Sequence, residues 1–171
     1  MLEKYRHMAR MGWIIGICMV LVPFGITAIA GISPAVTLAL IGSTLLIEYG
    51  AVLPGLVLEV PPVILIIVVA SVASGVIFVS LELFDYFSAR SEEVRRFLKR
   101  VQGSRAGKVI HRYGIWGLIP GIIIAGFYVC PALAWIFAWE RRIAVAIMIG
   151  AFIISSVVVL LLSLGVMTIF L

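Results

Sequence analysis

Apolar residues run along this chain in long blocks with almost no alternation, the pattern of helices in an apolar solvent rather than of half-buried strands. Five blocks follow one another: Trp13 to Ile32, Pro34 to Glu59, Pro62 to about Phe84, Gly114 to Trp139, and Ile143 to Leu171. The one polar stretch, Asp85 to Tyr113, separates the third from the fourth. The second block is interrupted by Glu48, Gly50 and Pro54, and the fourth by Pro120-Gly121, Gly126 and Pro131. Gly and Pro at such positions break or bend helices. The other three blocks are of spanning length.

The basic residues test how these blocks are connected. All 13 Lys and Arg lie at positions 4 to 10, 90 to 112, or 141 and 142. If basic segments stay cytoplasmic, the N-terminus, the central linker and Arg141-Arg142 share one side. Three blocks lie between the N-terminus and the linker, where an even number of crossings is needed. A single block lies between the linker and Arg141, and it must return to its starting side. The two broken blocks are the ones that can turn back. Each has roughly 26 residues, or two arms reaching about 18 Å, near the midplane of a ~30 Å hydrocarbon core.

The expected fold is therefore an all-α integral membrane protein with three transmembrane helices and two re-entrant helical hairpins in inverted repeats. It forms a single membrane domain over 1–171: a first helix (1–33), repeat one (34–84), a linker (85–113) and repeat two (114–171). The competing topology makes both broken blocks kinked full spans and puts the linker outside. In the linker, Ser91, Glu92 and Glu93 can start a helix. Val94, Phe97, Leu98 and Val101 then share one face, with Arg95, Arg96, Lys99 and Arg100 around it. A cytoplasmic amphipathic helix of this kind contacts the membrane surface and favours anionic lipids. Trp13, Trp116 and Trp139 fall where interfacial belts lie. The first block resembles a signal peptide near Ala28-Ile29-Ala30, but its length is that of an uncleaved span.

Composition agrees, with 64% apolar and 12% charged residues and a mean hydropathy of +1.26, against roughly a quarter charged in soluble domains. The net charge of +5 arises from topology-setting clusters, so no nucleic-acid partner is expected. Cys18 and Cys130 read as small buried hydrophobes. Only His7 and His111 are available as imidazoles, and there is no Gly-rich phosphate loop or nucleophile elbow. We expect no enzyme activity, no metal and no cofactor. Ser71, Ser74, Ser155 and Ser156 read as backbone-bonding or helix-packing residues.

Glu48 is the informative residue. It follows a largely apolar run and precedes Tyr49-Gly50, so it falls near a hairpin tip at mid-depth. A carboxylate there costs about 2.5–3.5 kcal/mol on insertion scales and marks a pathway, a relay or an ion partner. The competing reading is a structural acid that caps a backbone break. Glu59, Glu82 and Asp85 lie closer to interfaces, where solvated or ion-paired roles are expected.

The run Glu48-Tyr49-Gly50-Ala51-Val52-Leu53-Pro54 resembles the E-x-R-G-A-I-P pattern of the small multidrug export protein family, itself similar to the DedA-like group of lipid transporters and scramblases. Gly50 stands where that family has Arg. Arg112-Tyr113-Gly114-Ile115-Trp116-Gly117-Leu118 resembles its R-Y-G-x-x-G-L. The family's P-L-P-G-T-G-A-W is kept over Gly121 to Tyr128 only at Gly126 and the final aromatic, and Arg141-Arg142 matches a following basic pair. The resemblance implies a cell-membrane transporter with a cytoplasmic N-terminus that moves a small amphiphile or a lipid-linked phosphate, with proton coupling as an option. The alternatives are a non-transporting membrane scaffold and an uncoupled lipid scramblase. Glu48, Tyr49, Gly50, Pro54, Gly126 and Tyr128 are the expected substrate or proton pathway. A homo-oligomer is expected, because a hairpin tip in so small a protein has little to cover its backbone, with Gly12 and Gly16 as a candidate packing face.

Overall fold

The computed structural model describes residues 2–90 and 113–170, with side chains over 13–86, 113–124 and 126–165. The described chain is helical: α1 (Leu2–Ile29), α2 (Pro34–Ile47), a 3-10 turn (Glu48–Ala51), α3 (Val52–Val57), α4 (Pro62–Arg90), a second 3-10 turn (Gly114–Gly117), α5 (Leu118–Ile136) and α6 (Arg141–Phe170). The amphipathic stretch with Arg95, Arg96, Lys99 and Arg100 lies outside the described residues. So does its expected start at Ser91, Glu92 and Glu93; the beginning of the polar stretch, Asp85 to Arg90, is described and continues α4, because nothing in Asp85-Tyr86-Phe87-Ser88-Ala89 stops a helix.

Three stretches are long and apolar enough to cross a membrane by length and composition: Pro34–Val57 (24 residues), Pro62–Tyr86 (25 residues) and Arg141–Gly165 (25 residues). The apolar part of α1 with described side chains, Trp13–Ile29, is shorter. Pro34–Val57 is not one rod, however. A Cβ on Gly55 would lie 3.0 Å from Leu40 Cδ2, although 15 residues of straight helix would separate them by about 22 Å. The chain therefore folds back between Leu40 and Gly55, at the 3-10 turn. α5 folds back likewise: a Cβ on Gly121 would lie 3.1 Å from Cys130 Sγ, against about 13 Å along a straight helix. That reversal falls at Gly126, whose φ of 76° and ψ of −177° are non-helical.

Local sequence explains the ends. Ser33 caps α2 by accepting from Val36 N–H at 3.4 Å, and Pro34 occupies the first turn, where its missing N–H costs nothing. Three helix ends close alike, through left-handed residues at Gly31, Glu59 and Ala138. At each, the next N–H reaches back to the carbonyl five residues earlier: Ile32 to Thr27 (2.9 Å), Val60 to Gly55 (3.1 Å) and Trp139 to Ala134 (3.1 Å). This is the Schellman pattern.

α1 and α4 run antiparallel, with Gly16 against Gly75 and Val79 and with Met19 beside Ser71. A Cβ on Gly75 would lie 2.8 Å from the Gly16 carbonyl. The small-residue face expected to pair two copies therefore packs within one chain at Gly16; Gly12 lies among residues whose side chains are not described. Pro23 in α1 has no N–H to offer the Met19 carbonyl, and Ser71 Oγ donates to that carbonyl at 2.6 Å. Replacing Ser71 by Ala would leave it without this donor, and we expect a loss of about 1 kcal/mol, read by reversible detergent unfolding. Ser74, Ser155 and Ser156 each donate to the carbonyl four residues back.

α4 and α6 are also antiparallel. Arg141 meets Glu82 and Asp85 at one end, and Leu160 lines one hollow with Pro62 and Val63 at the other. Between them Leu65, Val68, Val69, Ile77, Met148 and Phe152 are buried. Cys130 is buried as expected, whereas Cys18 lies exposed on α1.

Candidate functional site

The two chain reversals meet, and each supplies what the other lacks. α2 makes its last helical bond from Glu48 N–H to the Thr44 carbonyl. Glu48 then takes φ 57°, ψ −125°, a left-handed conformation that L-residues with side chains rarely adopt. The Leu45 carbonyl is left beyond the last helical bond and accepts from Tyr128 Oη at 2.6 Å. On the other side, an unbroken helix would join Phe127 N–H to the Ile123 carbonyl. With the chain turned at Gly126, the Ile123 carbonyl accepts from Tyr49 Oη at 3.0 Å. Phe127 N–H donates to the Glu48 carboxylate.

The exchange is reciprocal. Leu45 and Ile123 each lie three residues before their break, and each receives a tyrosine from the opposite one. Gly126 is required by both shape and conformation: a Cβ there would overlap the Glu48 carboxyl group, and its φ/ψ region is essentially restricted to glycine. Behind the contact, Phe152 of α6 meets the rings of Tyr49 at 6.5 Å and Phe127 at 5.4 Å, both edge-on. In front, Leu46 and Ile124 are each 85% exposed, so the polar contact lies between a buried aromatic wall and an open apolar surface.

Of the residues expected from sequence, Glu48, Tyr49, Gly126 and Tyr128 come together. Gly50 and Pro54 do not join them. Gly50 packs locally against Ile47. Pro54 lies in the first turns of α3 and accepts from Leu58 N–H at 3.0 Å, so it helps shape the returning arm. Sequence reading missed Phe127, Leu45 and Ile123 because they act through backbone groups, and missed Phe152 because it looks like any other apolar residue of α6.

A second polar cluster joins the Arg141 end of α6 to α4. Arg141 pairs with Glu82, which is 4% exposed, and with Asp85 at 3.2 Å. Trp135 Nε1–H donates to Asp85 at 2.9 Å, and the Trp135 ring stacks on Phe84 at 5.6 Å. The ion-paired role expected for these two acids is realised, but the partner was not foreseen. Trp139, expected as a belt residue, lines the cavity beside this cluster. Among the described residues no group of three or more His, Cys, Asp or Glu is placed to hold a metal ion.

These features define a class: an all-helical chain with three segments long and apolar enough to span a membrane, organised around two mutually bonded helix breaks. No family model, curated protein or solved structure matches the chain.

Proposed function

We propose that this chain is a membrane transporter for a small amphiphile, coupled to protons through Glu48, in which two re-entrant hairpins form inverted repeats. The observation that carries the reading is the reciprocal bonding of the two breaks around one carboxylate. Broken helices meeting at a site are how transporters place polar groups at depth. If α6 spans, Phe152 lies 11 residues beyond Arg141, or about 16 Å in, half of a ~30 Å core. Both breaks touch Phe152, which supports the reading that they lie near the midplane. The first hairpin opens toward the Pro62 end of α4, where the α1 C-terminus also lies. The second opens toward the Arg141 end, since Tyr113 and Trp139 line one groove there.

A charged carboxylate makes a stronger acceptor for Phe127 N–H than a neutral one. Protonation weakens that bond, loosens the tip contact and removes the charge that opposes movement at the midplane. Gly50 occupies the position of the family's Arg, so the tip offers an acid without that guanidinium. This favours a neutral or cationic amphiphile over a lipid-linked phosphate. We expect Glu48→Gln to fold and to abolish the pH dependence of flux in proteoliposomes carrying a cationic amphiphilic dye. Unchanged pH-dependent flux in that variant would rule out coupling at Glu48.

The scaffold reading has its own support, since the breaks satisfy one another without a substrate. It wins if no amphiphile moves and Glu48→Gln only raises stability. The reciprocal bonds also mean that a second copy is not needed to satisfy the breaks. Homo-oligomerisation instead rests on the exposed Leu46, Ile47 and Ile124 beside the carboxylate.

The topology has a separate check. Cysteines placed at Arg105 and at Leu171 are expected to label from opposite faces of the bilayer, with Arg105 cytoplasmic alongside the N-terminus. Labelling of both from one face would overturn the hairpin arrangement.

A further inference from the structure

We infer that two copies of this chain, lying in the same orientation, meet across the front of the helix breaks, and that their two Glu48 carboxyl groups share one proton there. The inference rests on the membrane placement proposed above, not on transport, and it gives the oligomer a defined contact.

Polar groups at the centre of a bilayer face a bundle interior or a wet cavity and pair with one another, because hydrocarbon offers them no partner. The backbone of the breaks is satisfied within one copy, but their front is not. The Tyr49 bond to the Ile123 carbonyl and the Tyr128 bond to the Leu45 carbonyl both lie at the surface. Glu48 is half-buried. Leu46 and Ile124, each two residues before the residue that breaks its helix, stand open beside it. A carboxylate has about four acceptor sites, and the donor that reaches this one is Phe127 N–H. Among the described residues no cation pairs with it. Lys and Arg are confined to positions 4–10, 90–112 and 141–142, and Arg141, about 16 Å along α6 from Phe152, is held by Glu82 and Asp85. Tyr49, Tyr128 and Cys130 are the other titratable groups described around the tip. Those of α4 and α6 (Glu82, Asp85, Tyr86, Arg141 and Arg142) lie at the Arg141 end, and α3 has none.

A second copy supplies what this face lacks, whereas a lipid chain does not. A two-fold axis along the membrane normal keeps each residue at its own depth, so the front of one copy meets the front of the other. The contact is isologous: Leu46 packs on Ile124 of the partner subunit, and Ile124 on Leu46 of the partner subunit. The paired tips bring two carboxyl groups together where two like charges cannot both persist. One proton held between them satisfies both, since the neutral carboxyl donates and the charged one accepts. Each Phe127 N–H keeps its bond to its own Glu48. The contact moves the tyrosine bonds and both carboxyl groups into a protein interior, and it sets one bound proton per two chains.

The test is disulfide cross-linking in liposomes at low protein-to-lipid ratio, with full chains carrying Leu46→Cys mixed with chains carrying Ile124→Cys, all in a Cys18→Ser background. The expected cross-link between the two forms at least tenfold faster than one between chains carrying Ile154→Cys, a position 65% exposed on α6 and two residues from Phe152. Infrared difference spectra of the wild type against Glu48→Gln should show half of the Glu48 carboxyl groups neutral at neutral pH. Monomers counted by single-molecule photobleaching, equally fast cross-linking at Ile154→Cys, or Glu48 wholly charged or wholly neutral would each overturn the inference. Flux separates it from the transport reading. Cross-linked pairs that move no amphiphile defeat transport and leave this contact standing, whereas flux through monomers defeats the contact alone. Protein released from the bilayer by alkali defeats the membrane placement, and this inference with it.

Discussion

Replacing Gly126 by alanine is expected to cost about 2.5–6 kcal/mol and to separate the two helix breaks. Two terms add. A residue with a Cβ at φ 76°, ψ −177° pays about 1–3 kcal/mol of backbone strain. The new methyl would also overlap the Glu48 carboxyl group, so that group must withdraw and Phe127 N–H loses a charged acceptor, a further ~1.5–3 kcal/mol. Detergent unfolding would read the loss, and hydrogen exchange at the Phe127 amide would locate it. A variant as stable as wild type, with that amide still protected, would mean that the breaks are not held by this contact. Glu48→Gln in the same assay should lose much less, because the amide oxygen can still accept from Phe127.

The second large effect is expected at Arg141→Met. Arg141 is the described partner of Glu82, which is 4% exposed, and it also holds Asp85 at 3.2 Å. Breaking a fully buried pair costs about 3–5 kcal/mol, while exposed pairs contribute under about 1 kcal/mol. With one partner buried and the guanidinium 38% exposed, a loss of about 2–3 kcal/mol is expected. The sharper measurement is a double-mutant cycle. Glu82→Gln added to Arg141→Met should recover most of the loss, since no uncompensated charge is then buried. If the double variant is as unstable as the sum of the singles, the pairing is not what stabilises this end of α4 and α6. Arg141→Lys should fall between, because an ammonium cannot hold two carboxylates in the planar geometry of a guanidinium.

Much of the architecture was legible in the order of residues because lipid-like surroundings impose simple rules. Block length, the absence of alternation and the grouping of Lys and Arg are one-dimensional properties. They placed the helices within a few residues, apart from α4, which continues through Asp85 to Arg90. They also singled out the second and fourth blocks as broken. The sequence listed several breakers in each, and could not rank them. Pro120 lies in the first turn of α5, where no N–H is required, and Pro131 remains within a helical arm. The reversal falls at Gly126 because it is the position with the non-helical glycine conformation. In the second block the left-handed residue at the reversal is Glu48, not the nearby Gly50 that composition would have favoured.

What the sequence alone determined, then, is the helical class, the apolar segments, the two interrupted blocks and the isolation of one acid within the first of them. These follow from hydropathy and backbone preference, which are local. The tertiary structure alone decided which groups answer the freed backbone. Tyr49 serves Ile123 and Tyr128 serves Leu45, the Phe127 amide turns to Glu48, Ser71 reaches the Met19 carbonyl left by Pro23, and Gly16 packs on Gly75 of the same chain. Each pairing joins residues far apart in sequence, and a carbonyl carries no side-chain identity by which it could be recognised. Their selection comes from the requirement that every broken helical bond away from water find a partner, and only the packed chain shows which partner is within reach.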